Sequence, residues 1–337
     1  MKKLFLLMMV AVSVVACKQT TSTGYKITVA YPDDSLNGDT VYLTSYDSGD
    51  TLQTAVINGN TCLLEGTVEK SYYARLLDAN GRHGFIVEPG EYTFNLADGT
   101  ANSPLNTKFQ AITKEMETVE QDTTIAEDET NDAFAALAWK AFEENRDNAI
   151  GPWAFYNHLM YKEYNEAQID SVIALAPAEY ANMVRVQKAK IAAHQLTVTG
   201  VGQPFTDFAV TGQDGKTVRL SDFVGKGKPV LLDFWASWCP PCRAEMTNLK
   251  AIKVKHGDKL DIVSVAVWDA PEASRKAVDE LGMTWNVVIG NKNLTEPTDL
   301  YGVKGIPTLV LFDGKGTIVG RGYGCEPLIE KIESLAQ

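Results

Sequence analysis

The spacing of apolar and polar positions changes twice along the chain. Over residues 25–30 and 40–46 apolar side chains alternate with polar ones, the period-two pattern of strands with one buried face. Asn58-Gly59 and Pro89-Gly90 stand between further apolar runs as turn dipeptides. A small antiparallel β domain is expected over residues 25–103. From Pro104 the period lengthens. Residues 133–142 are apolar and alanine-rich, and 153–160, 169–175 and 180–191 continue a helical spacing, with Pro152 and Pro177 near helix starts. A helical segment is expected over 104–196, with Trp139, Phe142, Trp153 and Phe155 as packing residues rather than a cofactor box.

Residues 196–202 read as a boundary, and β and α signals then alternate. Residues 205–210 and 217–220 flank Asp214-Gly215, a hairpin signature. Residues 229–235 form an apolar strand broken by Asp233. Helix (240–256), strand (260–268), helix (272–281) and strand (285–289) follow, then a hairpin (308–312, 317–321) and a last helix (326–335). This order predicts an α/β domain over 200–337, a mixed central sheet flanked by helices.

The first residues carry a different message. Lys2 and Lys3 precede an apolar run over 4–15, too short to span a bilayer but suited to the apolar core of a signal peptide. Val14-Val15-Ala16-Cys17 and a polar stretch to Gly24 follow. This resembles a bacterial lipobox, which implies a signal peptide over 1–16, lipidation of Cys17 and a tether over 17–24. The implied location is the cell envelope, lipid-anchored and facing the periplasm, with the outer membrane favoured over the inner.

A chain of 337 residues calls for two or three domains. Its net charge of −12 would repel a phosphate backbone, so no nucleic-acid partner is expected. Of the five cysteines, Cys17 is assigned to the anchor, Cys62 and Cys325 stand alone, and Cys239 and Cys242 form a C-x-x-C. One close pair in an exported chain suggests catalysis rather than a disulfide framework. Structural zinc needs four ligands, whereas His83, His158, His194 and His256 are isolated and no second C-x-x-C exists. No metal and no cofactor are expected.

The C-x-x-C stands where a buried strand should end and a helix begin. Unsatisfied N–H groups and the helix dipole at that end stabilise a thiolate, the attacking species in disulfide exchange. Cys239, expected at an exposed tip, is the candidate nucleophile, and Cys242, one turn inward, the resolving thiol. Pro240 and Pro241 suit a first turn, where a missing N–H costs little. Cys62 reads as a core thiol. Cys325, at the start of the last helix, could have a lowered pKa but reads as idle.

Phe234-Trp235-Ala236-Ser237-Trp238-Cys239-Pro240-Pro241-Cys242 resembles the active site of thioredoxin-like proteins. The Arg243-Ala244-Glu245-Met246 that follows is similar to membrane-associated reductases of the TlpA and ResA type, and Gly305-Ile306-Pro307-Thr308 resembles the motif that holds the family's cis-proline. The resemblance implies a thioredoxin-like fold and a protein disulfide reductase acting on protein disulfides or dithiols, recycled by a membrane electron donor. It also implies that Pro307 is the cis-proline, that the Ile306 backbone pairs with the substrate strand, and that Trp238 and Pro240 line the substrate surface. Thioredoxins carry a buried aspartate where Asp233 stands. Burial would raise its pKa and make it a candidate proton acceptor for Cys242. The family's lysine on the neighbouring strand is missing from 260–268, and Thr247 stands where relatives often have proline. Residues 86–91 (Ile-Val-Glu-Pro-Gly-Glu) and 102–109 (Asn-Ser-Pro-Leu-Asn-Thr-Lys-Phe) are similar to the N-terminal region of many Bacteroidetes thiol–disulfide oxidoreductases.

Two alternatives stand beside this reading. A peroxiredoxin-like thiol peroxidase shares the fold, but its P-x-x-x-T-x-x-C run does not precede Cys239. A ligand-binding surface lipoprotein with an accessory redox domain would need a binding cluster in the β domain, and none is evident.

Overall fold

The computed structural model describes residues 23–122, 124–125, 127–212, 214–291 and 294–336. The expected signal peptide, Cys17 and most of the tether lie outside the described residues. The chain divides into two units: one through Gln121 with Ala141–Trp153, the other of Asp122–Lys140 with Ala154–Gln337. The segment read as helical is shared between them.

The first unit contains β1 (Thr23–Ala30), β2 (Thr40–Ser45), β3 (Thr51–Val56), β4 (Thr61–Val68), β5 (Tyr72–Asp78), β6 (Gly81–Val87), β7 (Gly90–Asn95), β8 (Thr100–Ala101) and helix α1 (Pro104–Gln121). Thr23 and Gly24, assigned to the tether, already belong to β1. The strands form two four-stranded sheets, β4-β1-β7-β8 and β3-β2-β5-β6. Alternating side chains from both, among them Ile27, Val29, Leu43, Leu64, Leu76, Phe85 and Phe94, fill one core. The pairing is antiparallel except for β1 with β7, which run parallel with Ile27 opposite Tyr92. The unit is thus the expected antiparallel β domain with one parallel pair added: β7 returns to the first strand across most of the unit, and no local pattern encodes such a pairing.

The two N-terminal motifs, at 86–91 and 102–109, meet in one joint. The buried carboxylate of Glu88 accepts from Ser103 Oγ and from the backbone N–H groups of Leu105 (3.0 Å) and Asn106 (3.3 Å). It thereby satisfies the free N–H groups at the start of α1 and meets the positive end of its dipole. The Asn106 amide exchanges two 2.8 Å hydrogen bonds with the Ile86 backbone.

The second unit begins at Asp122, takes helix α2 (Glu127–Glu143) as far as Lys140 and resumes within α3 (Ile150–Tyr161), followed by α4 (Glu166–Ile173) and α5 (Val184–Val198). The helix expected over 180–191 is two pieces: a 3₁₀ turn at Ala178–Asn182, then α5. Met183 between them is extended, with φ −63° and ψ 134°. A β-hairpin (β9, Ala209–Thr211; β10, Thr217–Arg219) leads into β11 (Val230–Trp235), α6 (Pro240–His256), β12 (Asp261–Ala266), α7 (Pro271–Leu281), β13 (Asn286–Ile289), α8 (Glu296–Leu300), β14 (Thr308–Phe312), β15 (Ile318–Gly322) and α9 (Ile329–Leu335). Glu326–Leu328, expected as the start of the last helix, is a separate 3₁₀ turn.

The sheet order is β13-β12-β11-β14-β15. β11 runs parallel to β12 and antiparallel to β14, giving the thioredoxin-like mixed sheet. β11 is buried at all six positions, as a central strand covered on both faces must be. Its even-numbered side chains, Val230, Leu232 and Phe234, pack with Tyr301 and Phe312. Leu231 and Trp235 point the other way and pack with Met246 and Leu249 of α6 and Ile332 of α9. Asp233 is therefore on the face that α6 covers.

Candidate active site

β11 delivers the chain to the N-terminus of α6, and the residue at the turn is Cys239. It is the N-cap, with φ −93° and ψ 104°, and its sulfur accepts the Cys242 N–H at 3.2 Å. Pro240 and Pro241 occupy the first turn, and Lys253, Lys255 and His256 the last, each class at the end its chemistry suits. Cys239 and Cys242 are joined as a disulfide with Cα atoms 5.3 Å apart.

The Ile306–Pro307 peptide is cis. The loop carrying it lies against the disulfide, with the Ile306 carbonyl oxygen 3.7 Å from Cys239 Sγ. This corrects the expectation of an exposed nucleophile: in the disulfide state Cys239 is 3 % exposed, because the cis-proline loop covers it, whereas Trp238 beside it is 57 % exposed. Pro240 is exposed, and Ile306 and Pro307 are half-buried.

Asp233 is fully buried. One carboxylate oxygen accepts from Ser264 Oγ at 2.7 Å, and the other has no partner. Ser264 is opposite Asp233 on β12 and accepts in turn from Trp285 Nε1 at 2.9 Å. Burial pushes the Asp233 carboxyl up to about 7; the Ser264 hydrogen bond opposes the rise and the charge of Glu245 adds to it. Glu245, one turn after Cys242, accepts the Cys325 N–H at 2.8 Å.

The residues just before Cys239 are held from the end of β12. Asp269 accepts from Ser237 N–H (2.7 Å), Ser237 Oγ (3.1 Å), Ser274 Oγ (2.8 Å) and Ala270 N–H (2.8 Å). The Trp268 carbonyl accepts the Trp238 indole N–H at 2.9 Å. Trp268 has φ +54°, a conformation uncommon outside glycine.

Ser264, Trp285, Asp269 and Trp268 were not among the expected site residues, and Glu245 was named only within the motif after Cys242. Ser264 had a signal: it is the one polar residue within the apolar stretch 262–268, and the strand order puts it beside Asp233. Asp269 follows the C-terminal end of a parallel strand, where α/β sheets gather their sites. Cys325 does not have the lowered pKa its position allowed. It is buried, and burial and Glu245 push its thiol upward. Cys62 is a buried core thiol, pushed up to about 11 by burial. Among the described residues no group of three or more His, Cys, Asp and Glu side chains is placed to hold a metal ion.

Residues 201–321 match the family described as AhpC/TSA, and residues 25–134 match a domain of unknown function, DUF4369. The chain is 34 % identical over 120 residues to thioredoxin-like protein YneN of Bacillus subtilis, covering 35 % of this chain and 68 % of that protein. It is 32 % identical over 134 residues to thiol-disulfide oxidoreductase ResA of Bacillus anthracis, covering 40 % of this chain and 75 % of that protein. The chain belongs to the ResA-type thiol–disulfide oxidoreductases. The crystallised thioredoxin domain of a Bacteroides vulgatus thiol-disulfide oxidoreductase is 28 % identical with a TM-score of 0.38, covering 41 % of this chain and 99 % of that one. In this oxidoreductase the Cys239–Cys242 disulfide, the cis-proline loop and Asp233 all lie within the family match.

Proposed function

We propose that the protein reduces disulfides of exported proteins by dithiol exchange through Cys239 and Cys242, from a lipid anchor at Cys17 on the periplasmic side of the envelope. The observation that carries the exchange reading is a disulfide at a helix N-terminus, with the sulfur of its first cysteine beside the open backbone of a cis-proline loop.

In the reduced enzyme the Cys239 thiolate attacks one sulfur of a substrate disulfide. A mixed disulfide forms and the substrate's other sulfur leaves as a thiolate. The Cys242 thiol gives its proton to Asp233, and the resulting thiolate attacks the Cys239 sulfur. The substrate's second thiolate leaves and the Cys239–Cys242 bond forms. The substrate gains two electrons and the enzyme loses two, which a membrane dithiol donor restores. The N–H of Cys242 and the dipole of α6 stabilise charge on Cys239. The substrate chain lies along Ile306 and Pro307, with Trp238 and Pro240 forming the rest of the contact surface.

Cys239→Ser should abolish disulfide reduction in an insulin assay, while Cys242→Ala should accumulate mixed disulfides. Retained turnover in Cys239→Ser would refute the assignment.

A further inference from the structure

The redox unit contains a cavity of about 770 Å³ beside the cis-proline loop. Residues 302–304 and Thr308 line it from that loop, 321–323 from the end of β15, and 161–165 from the stretch after α3. The last wall comes from outside the 201–321 family match, so this part of the site is supplied by the helical segment.

The charged groups are distributed unevenly with depth. Lys304 and Arg321 are half-buried. Lys304 Nζ donates to the carbonyl oxygens of Leu159 (3.0 Å) and Lys162 (3.1 Å), at the C-terminus of α3. The Arg321 guanidinium donates to the Tyr301 carbonyl and to Thr199 Oγ1 (3.4 Å). All four acceptors are uncharged, and among the described residues neither cation is hydrogen-bonded to a carboxylate. Desolvation lowers the pKa of both, Glu163 opposes the shift in each, and the charge of Arg321 lowers that of Lys304 further. Three carboxylates border the cavity, Asp132, Glu163 and Glu326, and all are exposed. Asp132 is paired with Lys162 at 2.7 Å. Glu163 acts on Lys304 and Arg321 through space but is hydrogen-bonded to neither. Water screens exposed charges far more than half-buried ones, so the half-buried Lys304 and Arg321 outweigh the exposed carboxylates of the lining, in a protein whose net charge is −12.

We infer that this cavity is a specificity subsite that takes an acidic side chain of the polypeptide substrate, two or three residues from the cysteine that Cys239 attacks. The inference rests on the exchange reading above. Thr308 is two residues beyond Ile306, whose carbonyl borders the reactive sulfur. Two extended residues span about 7 Å, so a chain lying along the loop reaches the cavity with its next few side chains. A carboxylate there gains two cations that no carboxylate hydrogen-bonds, and its charge offsets the repulsion between them.

The test compares two peptide disulfides that differ only in glutamate or glutamine at the second and third positions on each side of the cysteine. The wild-type enzyme at low ionic strength should show a kcat/KM about fivefold or more higher for the glutamate peptide, with the advantage shrinking as salt is added. Glu163→Gln should widen the ratio, a gain that damage to the fold would not produce. Lys304→Gln keeps a donor toward the α3 carbonyls, removes the charge and should bring the ratio close to one. Equal kcat/KM for the two peptides in the wild type, or an unchanged ratio in Glu163→Gln, would overturn the subsite. If neither peptide is exchanged, the exchange reading fails on its own account. Equilibrium binding of the same peptides with serine in place of cysteine then decides the cavity: tighter binding of the glutamate peptide supports it, and equal binding refutes it.

Discussion

Asp233 is the only ionised-type side chain in β11, and its surroundings leave one oxygen without a partner. Its carboxyl titrates near 7 in the folded state against about 4 in an unfolded chain. The folded protein therefore holds the proton more tightly, and stability from this group is greatest at low pH and falls as pH rises between those values. The full swing is roughly 4 kcal/mol. Asp233→Asn should flatten it: between about pH 5 and about pH 8 the wild type should lose more stability in urea unfolding than the variant. Parallel pH profiles for the two would contradict the assignment. Asp233 was legible in the sequence because a lone carboxylate interrupts an apolar run. Ser264 was not, since its role depends on which strand lies beside β11. The burial of Cys239 was also hidden, because the loop that covers it comes from some seventy residues downstream.

At the scale of elements, β11 and α6 were readable from a continuous apolar run and a Pro-Pro first turn. Both signals are local. The parallel pairing of β1 with β7 was not, because it is decided by how two sheets close around Ile27 and Phe94. The contact at Glu88 lies between these cases. Its two motifs were visible separately, and only folding brings them together. Removing the carboxylate leaves the buried Ser103 hydroxyl and the first N–H groups of α1 without their acceptor. Glu88→Ala should destabilise the first unit by about 2 kcal/mol, seen as a lower urea midpoint for unfolding of the full chain. An unchanged midpoint would show that the joint contributes nothing.

For the whole molecule, the two family matches leave a stretch between residues 134 and 201 that belongs to neither. Part of it builds the cavity wall beside the redox loop. The proposed address of the protein rests on its first residues. Lys2, Lys3, the apolar run and Cys17 support export and lipidation. Cys17→Ser should abolish incorporation of labelled fatty acid and move the protein from the membrane to the soluble fraction. Unchanged membrane association and labelling would remove the anchor from the proposal.

The proposed chemistry depends on one ionised sulfur at the start of α6. Cys62 and Cys325 are buried with raised thiol pKa values, so they should not compete for an alkylating reagent in the native state. The decisive measurement is the pH dependence of iodoacetamide alkylation in the reduced Cys17→Ser protein, with the modified residue located by mass spectrometry. The expected result is rapid labelling of Cys239 at neutral pH, with an apparent pKa of about 7.5 or below. A Cys239 that stays unlabelled, or that titrates at about 8.5 like a free thiol, would contradict it.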